Sequence, residues 1–394
     1  MRHVRLNMNR WILLCVRSSA CAVAAGAPTI TELWQARGMT KGQFYLLEIF
    51  FAIALMVLEI ATGRFADRYG KVLTLVLGYG AQAAGSLVYA FATSFHDFIV
   101  GEAVFALGLA LTSGTDEALL FQSNKALDRE DSHQQWWTTS IGLGFLTMGV
   151  CSITGAWLAT KDLTLPYIFG AGGGLVAALL CLLMVEPSAS NTQETSPAKG
   201  TLGEAVTVVL LSSRALRWMI LAPGFIVSIN QTYLWMYPEY LKDCDITTSG
   251  RGYVFAIFNL VAGASALCLR RIENDAVSMR VVFAMLLGLA ASTCGLLTLV
   301  GSFAWVILLP QQVVRSVSGI LFSQTINQAI PDAVRVTALS IRNALRVTVY
   351  IAVLTPWWLG VDALGRNGMF LVNLLMLTAA TLIFWITYPG SESV

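Results

Sequence analysis

The chain has 394 residues, of which 56% are hydrophobic and only 12% charged, with a formal net charge of +2. A soluble domain carries about twice that charged fraction, so most of this surface meets lipid and soluble folds are excluded. The seven cysteines show no CxxC or Cys/His spacing and fall mostly inside apolar stretches, as packing residues do.

Taken in chain order, polar residues, Pro and Gly cut the sequence into twelve apolar spans near 11–35, 44–64, 71–92, 96–121, 136–159, 165–185, 215–240, 251–269, 279–301, 303–328, 334–360 and 367–388. Each is long enough to cross a ~30 Å hydrocarbon layer as a helix. Lipid offers no partner for backbone N–H and C=O groups, so every span is expected to be helical. The expected fold is therefore all-α and polytopic. Arg2, Arg5 and Arg10 followed by an apolar run imitate a signal peptide. Arg17 interrupts that run, and a cut near Ala22–Ala24 would halve the first span, so an uncleaved first helix is expected.

The long polar interruption at 186–213 is rich in Ser, Thr, Ala and Gly and follows the sixth span. That composition suits a flexible tether. It predicts a six-helix bundle over 1–185, a linker over 186–213 and a second six-helix bundle over 214–394. With both termini on one side, fifteen Lys/Arg fall in segments on that side, six on the other and four inside the spans, out of 25. Positive residues accumulate on the cytoplasmic side, so both termini are expected to be cytoplasmic.

Between spans two and three stands Gly63-Arg64-Phe65-Ala66-Asp67-Arg68-Tyr69-Gly70-Lys71-Val72-Leu73-Thr74-Leu75. It resembles the major facilitator superfamily loop signature G-x-L-A-D-R-x-G-R-K-x-x-L, with Phe65 for Leu and Val72 for the second basic residue. Glu59-Ile60-Ala61-Thr62-Gly63 resembles the E-I-P-T-G of one branch of that superfamily. Ser113-Gly114-Thr115-Asp116-Glu117-Ala118-Leu119 resembles the branch's S-G-T-x-E-A-L. Ile326-Asn327 with Pro331, then Arg335–Ser340, resembles its segment joining spans ten and eleven.

The resemblance covers the whole chain and implies two pseudo-symmetric six-helix bundles, with spans 3, 6, 9 and 12 as outer scaffold around a central cavity. It implies a cytoplasmic latch made of Glu59, Gly63, Asp67, Arg68, Gly70, Lys71, Asp116, Glu117 and Arg342. Lys71 is placed to pair with Asp116 or Glu117, and Asp67 to cap a neighbouring helix. The bland alternative is that Arg64, Arg68 and Lys71 only set topology.

Interior charge is costly in a membrane and marks a pathway or a paired network. It falls on Arg17, Glu48, Glu59, Glu102, Arg315, Arg342 and Arg346, none of them in spans 3, 5, 6, 9 or 12. Arg315 and Arg346 lie at mid-span and are read as anion-binding groups, the alternative being neutralisation within a structural network. Gln311, Arg315, Ser318 and Phe322 share one helical face, with Pro310 expected to loosen the helix there. Arg17 is grouped with the solute-binding candidates.

Asn230, Tyr233 and Tyr237 recur at i, i+3, i+7 beside Gln231, as a hydrogen-bonding wall or as an interfacial aromatic belt. Asn259 is expected to line the same cavity or to bond a neighbouring helix. Glu48 and Glu102 are the proton-coupling candidates, because an apolar surrounding favours a carboxyl that keeps its proton.

His3, His96 and His133 are terminal or in loops, and no phosphate loop, HExxH or nucleophile elbow appears, so neither an enzyme nor a metal site is expected. No cofactor or nucleic acid is implied. What the resemblance implies is secondary active transport of a small polar or anionic solute, driven by protons, by a monomer in the plasma (inner) membrane. A multidrug exporter and a non-transporting receptor or assembly partner of the same fold are the alternatives.

Overall fold

The computed structural model describes residues 2–62, 65–187, 214–269, 279–329 and 335–387. Gly63, Arg64, Pro331 and linker positions 188–213 lie outside the described residues. Among the described residues there are helices and turns but no strand, and every one of the twelve apolar spans coincides with helix.

The first span is α1 (Arg2–Ala20), a 3-10 stretch (Cys21–Thr29) and α2 (Ile30–Ala36). Pro28 lies in that stretch, where it removes a backbone donor and opposes a regular α-helix. Then come α3 (Lys41–Thr62), the short α4 (Phe65–Tyr69), α5 (Lys71–Phe91), α6 (Phe95–Thr112), α7 (Thr115–Lys125), α8 (His133–Ala159) and α9 (Leu165–Cys181). After the undescribed segment follow α10 (Arg214–Asp243), α11 (Thr248–Leu269), α12 (Met279–Thr298), α13 (Leu309–Ala329) and α14 (Arg335–Thr387). Among the described residues, eight helical stretches reach the length and hydropathy of a membrane crossing. α14 carries the last two spans, separated where Gly365 leaves helical geometry at φ 67° and ψ 177°.

Local chemistry sets several boundaries. Ser94 and Asp97 form a reciprocal capping box that starts α6. The fourth span does not run through as one helix: it breaks at Ser113–Gly114, where Gly114 adopts φ 72° before α7 begins. Pro310 sits in the first turn of α13, behind a 3-10 turn (Ala304–Leu308). There it opens a helix instead of loosening one, because a first-turn residue has no intrahelical N–H bond to lose. Between α8 and α9, the Thr164 backbone N–H and hydroxyl both donate to Asp162 Oδ1 at 2.7 Å, and the backbone bond foremost holds that carboxyl below its ordinary pKa.

The chain divides into two compact units, Met1–Ala189 with Asp245–Leu267, and Ser190–Cys244 with Cys268–Val394. In the first unit the core gathers Leu13 and Val16 of α1, Leu75 and Tyr79 of α5, Leu119 and Leu120 of α7, and Ala177, Ala178 and Cys181 of α9. Between apolar helices in lipid, attraction comes from close contact, and small residues supply it. A Cβ on Gly108 would lie 2.6 Å from Gly78 O, so α5 and α6 touch through backbone.

α11 packs antiparallel on α8 in the same way. Gly252 meets Ala156 and Ser152, Ala256 meets Gly149, and Gly263 meets Phe145. Around the outside, Leu182, Leu183, Leu375, Trp385 and Ile386 are more than half exposed, the surface expected of an integral membrane protein.

Candidate functional site

Three polar clusters lie inside these units, two in the first and one in the second. In the second unit, α10 and α13 are joined by side chains that the sequence spacing singled out. Asn230 donates to the Gln311 carbonyl at 2.9 Å, and Tyr237 donates its hydroxyl to Gln311 Oε1 at 2.5 Å. Gln312, which spacing alone did not flag, donates to the same Tyr237 oxygen at 3.1 Å. Asn230, Tyr237, Gln311 and Gln312 are all buried.

The predicted Asn230–Tyr233–Tyr237 face divides between two neighbours. Tyr233 turns to α12 and shares a hydrogen bond with Thr293 at 2.6 Å. Gln231 is half-buried. Gln311 Nε2, Gln312 Oε1 and Ser318 Oγ are buried with no hydrogen-bond partner among the described residues, so this network retains unspent donor and acceptor capacity. Arg315 sits one turn beyond Gln311 on α13 and is half-buried. On α14, Arg346 is exposed with its Cα against Gly224, and Arg342 is half-buried, Nη2 reaching Asn343 Oδ1 at 3.4 Å.

In the first unit, Glu48 on α3 and Glu102 on α6 are both buried, at 5% and 7% exposure. The Tyr89 hydroxyl of α5 donates to Glu102 Oε1, and Glu48 is near enough to exert its charge on that hydroxyl. Tyr89 stacks on Tyr167 at 5.9 Å. Gly101 and Gly26 seat the two rings, since a Cβ at either would stand 2.8 Å from the tyrosine. These tyrosines escaped the search for charge because they lie on spans three and six, which carry none.

The third cluster joins residues assigned to different groups. Arg17 of α1 is ion-paired to Asp116 of α7 and lies 4.3 Å over the Trp137 ring. Asp116 also accepts the Glu117 N–H at 2.8 Å in the first turn of its helix, where the backbone dipole favours an anion. Lys71 is thus not the partner of Asp116, nor of Glu117, which faces His133 at 3.8 Å. Gly114 redirects the chain before α7, and Asp116 faces α1 instead of the loop.

Of the other latch candidates, Glu59 accepts from Ser113 at 3.2 Å. The cap on α5 comes from Glu186, whose carboxylate accepts the Lys71 and Val72 N–H groups at 2.9 and 3.0 Å. Asp67, expected in a capping role, is exposed and has no partner among the described residues, as is Arg68 apart from its 5.3 Å approach to the Tyr69 ring. Gly70 makes the turn into α5 at φ 94°. Asn259 is buried in α11 and bonds Phe255 O of its own helix at 3.0 Å. It belongs with Arg17 to the first unit. Among the described residues no group of His, Cys, Asp and Glu has the arrangement of a metal site.

The sequence profile of the Major Facilitator Superfamily matches residues 12–353. Among curated proteins, the chain is 25% identical over 200 residues to multidrug resistance protein MdtH of Aeromonas salmonicida, covering 51% of this chain and 48% of that protein. It is 22% identical over 235 residues to quinolone resistance protein NorA of Staphylococcus aureus, covering 57% and 58%. The chain thus spans about half the length of the curated relatives it matches.

Among solved structures, it matches a bacterial homologue of the human lysosomal transporter Spinster, inward-facing and unoccupied, with TM-score 0.75, 12% identity and 97% of each chain covered. The nucleoside transporter NupG matches with TM-score 0.75, 11% identity and 99% of each chain covered. Identities that low carry the fold alone. The profile spans most of the sequence, from α1 into α14, and with the helical order described above it establishes that this chain belongs to the major facilitator superfamily.

Proposed function

We propose that this chain is a secondary active transporter, moving a small polar or anionic organic solute by alternating access with proton coupling. The observation that carries the proposal is the buried Asn230–Tyr237–Gln311–Gln312 network with its unpaired amide groups and Arg315 one turn away. Such a set offers hydrogen bonds and a positive charge to a solute in a low-dielectric setting. Glu102, held by Tyr89, with Glu48 nearby, is the proton-carrying pair. Arg346 joins Arg315 as an anion-binding group, and Gln231, Tyr233, Asn259 and Arg17 remain solute-site candidates.

Glu59, Gly63, Asp67, Arg68, Gly70, Lys71, Asp116, Glu117 and Arg342 are the residues we assign to a cytoplasmic latch, and the sequence divides into six-helix segments 1–185 and 214–394 with a linker at 186–213. The protein works as a monomer in the inner membrane with both termini cytoplasmic. A multidrug exporter is the second reading, supported by the names of the resistance proteins it resembles and by the embedded carboxylates.

A thermal-shift screen of metabolites and drugs on the purified protein separates the two readings. Anionic hits that lose their stabilisation in Arg315→Ala support the first, and apolar cations that bind both forms equally support the second. Flux in vesicles under an imposed pH gradient then tests coupling, and bound ligands without gradient-dependent flux would favour a non-transporting role.

A further inference from the structure

Arg10, in the polar first turns of α1, is a cation that the proposed transport site does not use. Only 3% of it is exposed, yet Nε and Nη2 have no hydrogen-bond partner and no acid pairs with it among the described residues. A guanidinium withdrawn from water and left unpaired is a costly arrangement that an anion would relieve.

Its surroundings describe that anion. The guanidinium lies 5.6 Å over the Trp136 ring of α8, and Trp11 meets Trp136 edge-on at 4.8 Å. Trp11 is 60% exposed and continues an apolar outward stripe through Val4 and Met8. Asn9, next to Arg10, donates to Ser123 of α7 at 3.0 Å, and the turn after α7 brings the positive charge of Arg129 to bear on Arg10. Glu130 and Asp131 beyond it are exposed and form no ion pair with Arg10 among the described residues. The place thus combines tryptophans of an interfacial belt, an exposed apolar stripe and two cations without an acid between them. Basic pockets between helices at the membrane surface bind lipid phosphates.

We propose that Arg10, walled by Trp136 and Trp11, binds the phosphate of an anionic phospholipid headgroup at the α1–α8 edge of the first unit. Two guanidinium nitrogens bond one phosphodiester as a fork, while the acyl chains run toward the membrane interior along the outward-facing Trp11 and Cys15. The headgroup takes the place of the missing acid and ties α1 to α8.

The test uses the full chain in nanodiscs of phosphatidylcholine alone or mixed with phosphatidylglycerol, read by native mass spectrometry and thermal unfolding. Wild type is expected to retain phosphatidylglycerol and to melt higher in the mixed discs. Arg10→Gln is expected to lose the retained lipid several-fold, whereas Arg5→Gln, which removes an exposed charge from the same helix, keeps it. If Arg10→Gln does not fold, Arg10→Lys, which preserves the charge without the fork, takes its place with the same expected loss. Equal retention by wild type and the Arg10 variant overturns the proposal, as does equal loss in Arg5→Gln. Inorganic phosphate added to phosphatidylcholine discs separates the sources: stabilisation by it that depends on Arg10 would make the ligand a free anion and sink the lipid assignment.

Discussion

Arg251 Nη2 meets Glu32 Oε1 at 2.6 Å, tying the first turn of α11 to α2 within the first unit. Arg251 is 2% exposed, its Nε and Nη1 have no partner among the described residues, and Nη2 also bonds Thr248 at 2.8 Å. Glu32→Gln should therefore leave a buried cation without its counter-charge, at a cost of about 3–5 kcal/mol. Thermal unfolding in detergent should show a marked drop. The double variant Glu32→Leu/Arg251→Met, which removes both charges, should recover most of it. A single variant as stable as wild type would mean that the pair is not formed in solution.

Close backbone contact makes a second prediction. A Cβ on Gly155 of α8 would lie 2.0 Å from Ala25 O in the 3-10 stretch, and a carbonyl cannot swing aside as a side chain does. Gly155→Ala should cost roughly 1–3 kcal/mol or more. Gly288 of α12 has nothing within 4 Å of its added Cβ, so Gly288→Ala should be neutral or stabilising by up to about 1 kcal/mol. Paired melting curves check the contrast, and equal shifts would contradict the packing described.

Tyr237→Phe removes the hydroxyl on which Gln311 and Gln312 both converge. It should cost about 1–3 kcal/mol in stability, because two buried amides lose a partner, and should weaken solute binding in the same variant. Thr348→Val removes the hydroxyl of an exposed residue that bonds Ala344 O of its own helix at 2.9 Å, and should change little. Isothermal binding and unfolding on the same preparations compare the two.

Glu102→Gln keeps the shape of the carboxyl but cannot release a proton. Under the proposed proton coupling, flux driven by a pH gradient should fall at least about tenfold, while exchange of solute down its own gradient continues, because only the coupling step needs the proton. Tyr89→Phe should shift the pH dependence of that flux without abolishing it. Loss of exchange and driven flux together in Glu102→Gln would show that the residue acts in binding or folding instead.

Much of the architecture was open to inspection in the sequence. The twelve spans and the signature loop at Asp67–Lys71 depend on neighbours within a few residues, and those relations travel with the sequence. Asn230, Tyr233 and Tyr237 were singled out together by helical spacing, but Asn230 and Tyr237 reach Gln311 whereas Tyr233 reaches Thr293. Gln312 was missed because it lies one residue off the Gln311 stripe, and Tyr89 and Tyr167 because the search followed formal charge. The pairing of Asp116 with Arg17 in place of Lys71 depended on a left-handed turn at Gly114 that spacing alone does not reveal.

Composition by itself determined that this chain is a helical membrane protein, because a backbone in lipid has no partner for its polar groups except itself. Tertiary structure alone decided which rare polar groups meet, Arg251 with Glu32, Tyr89 with Glu102 and Tyr237 with two glutamines. Each encounter joins residues on different helices, and helix rotation and depth, set by glycine contacts such as Gly252 on Ala156, choose among them.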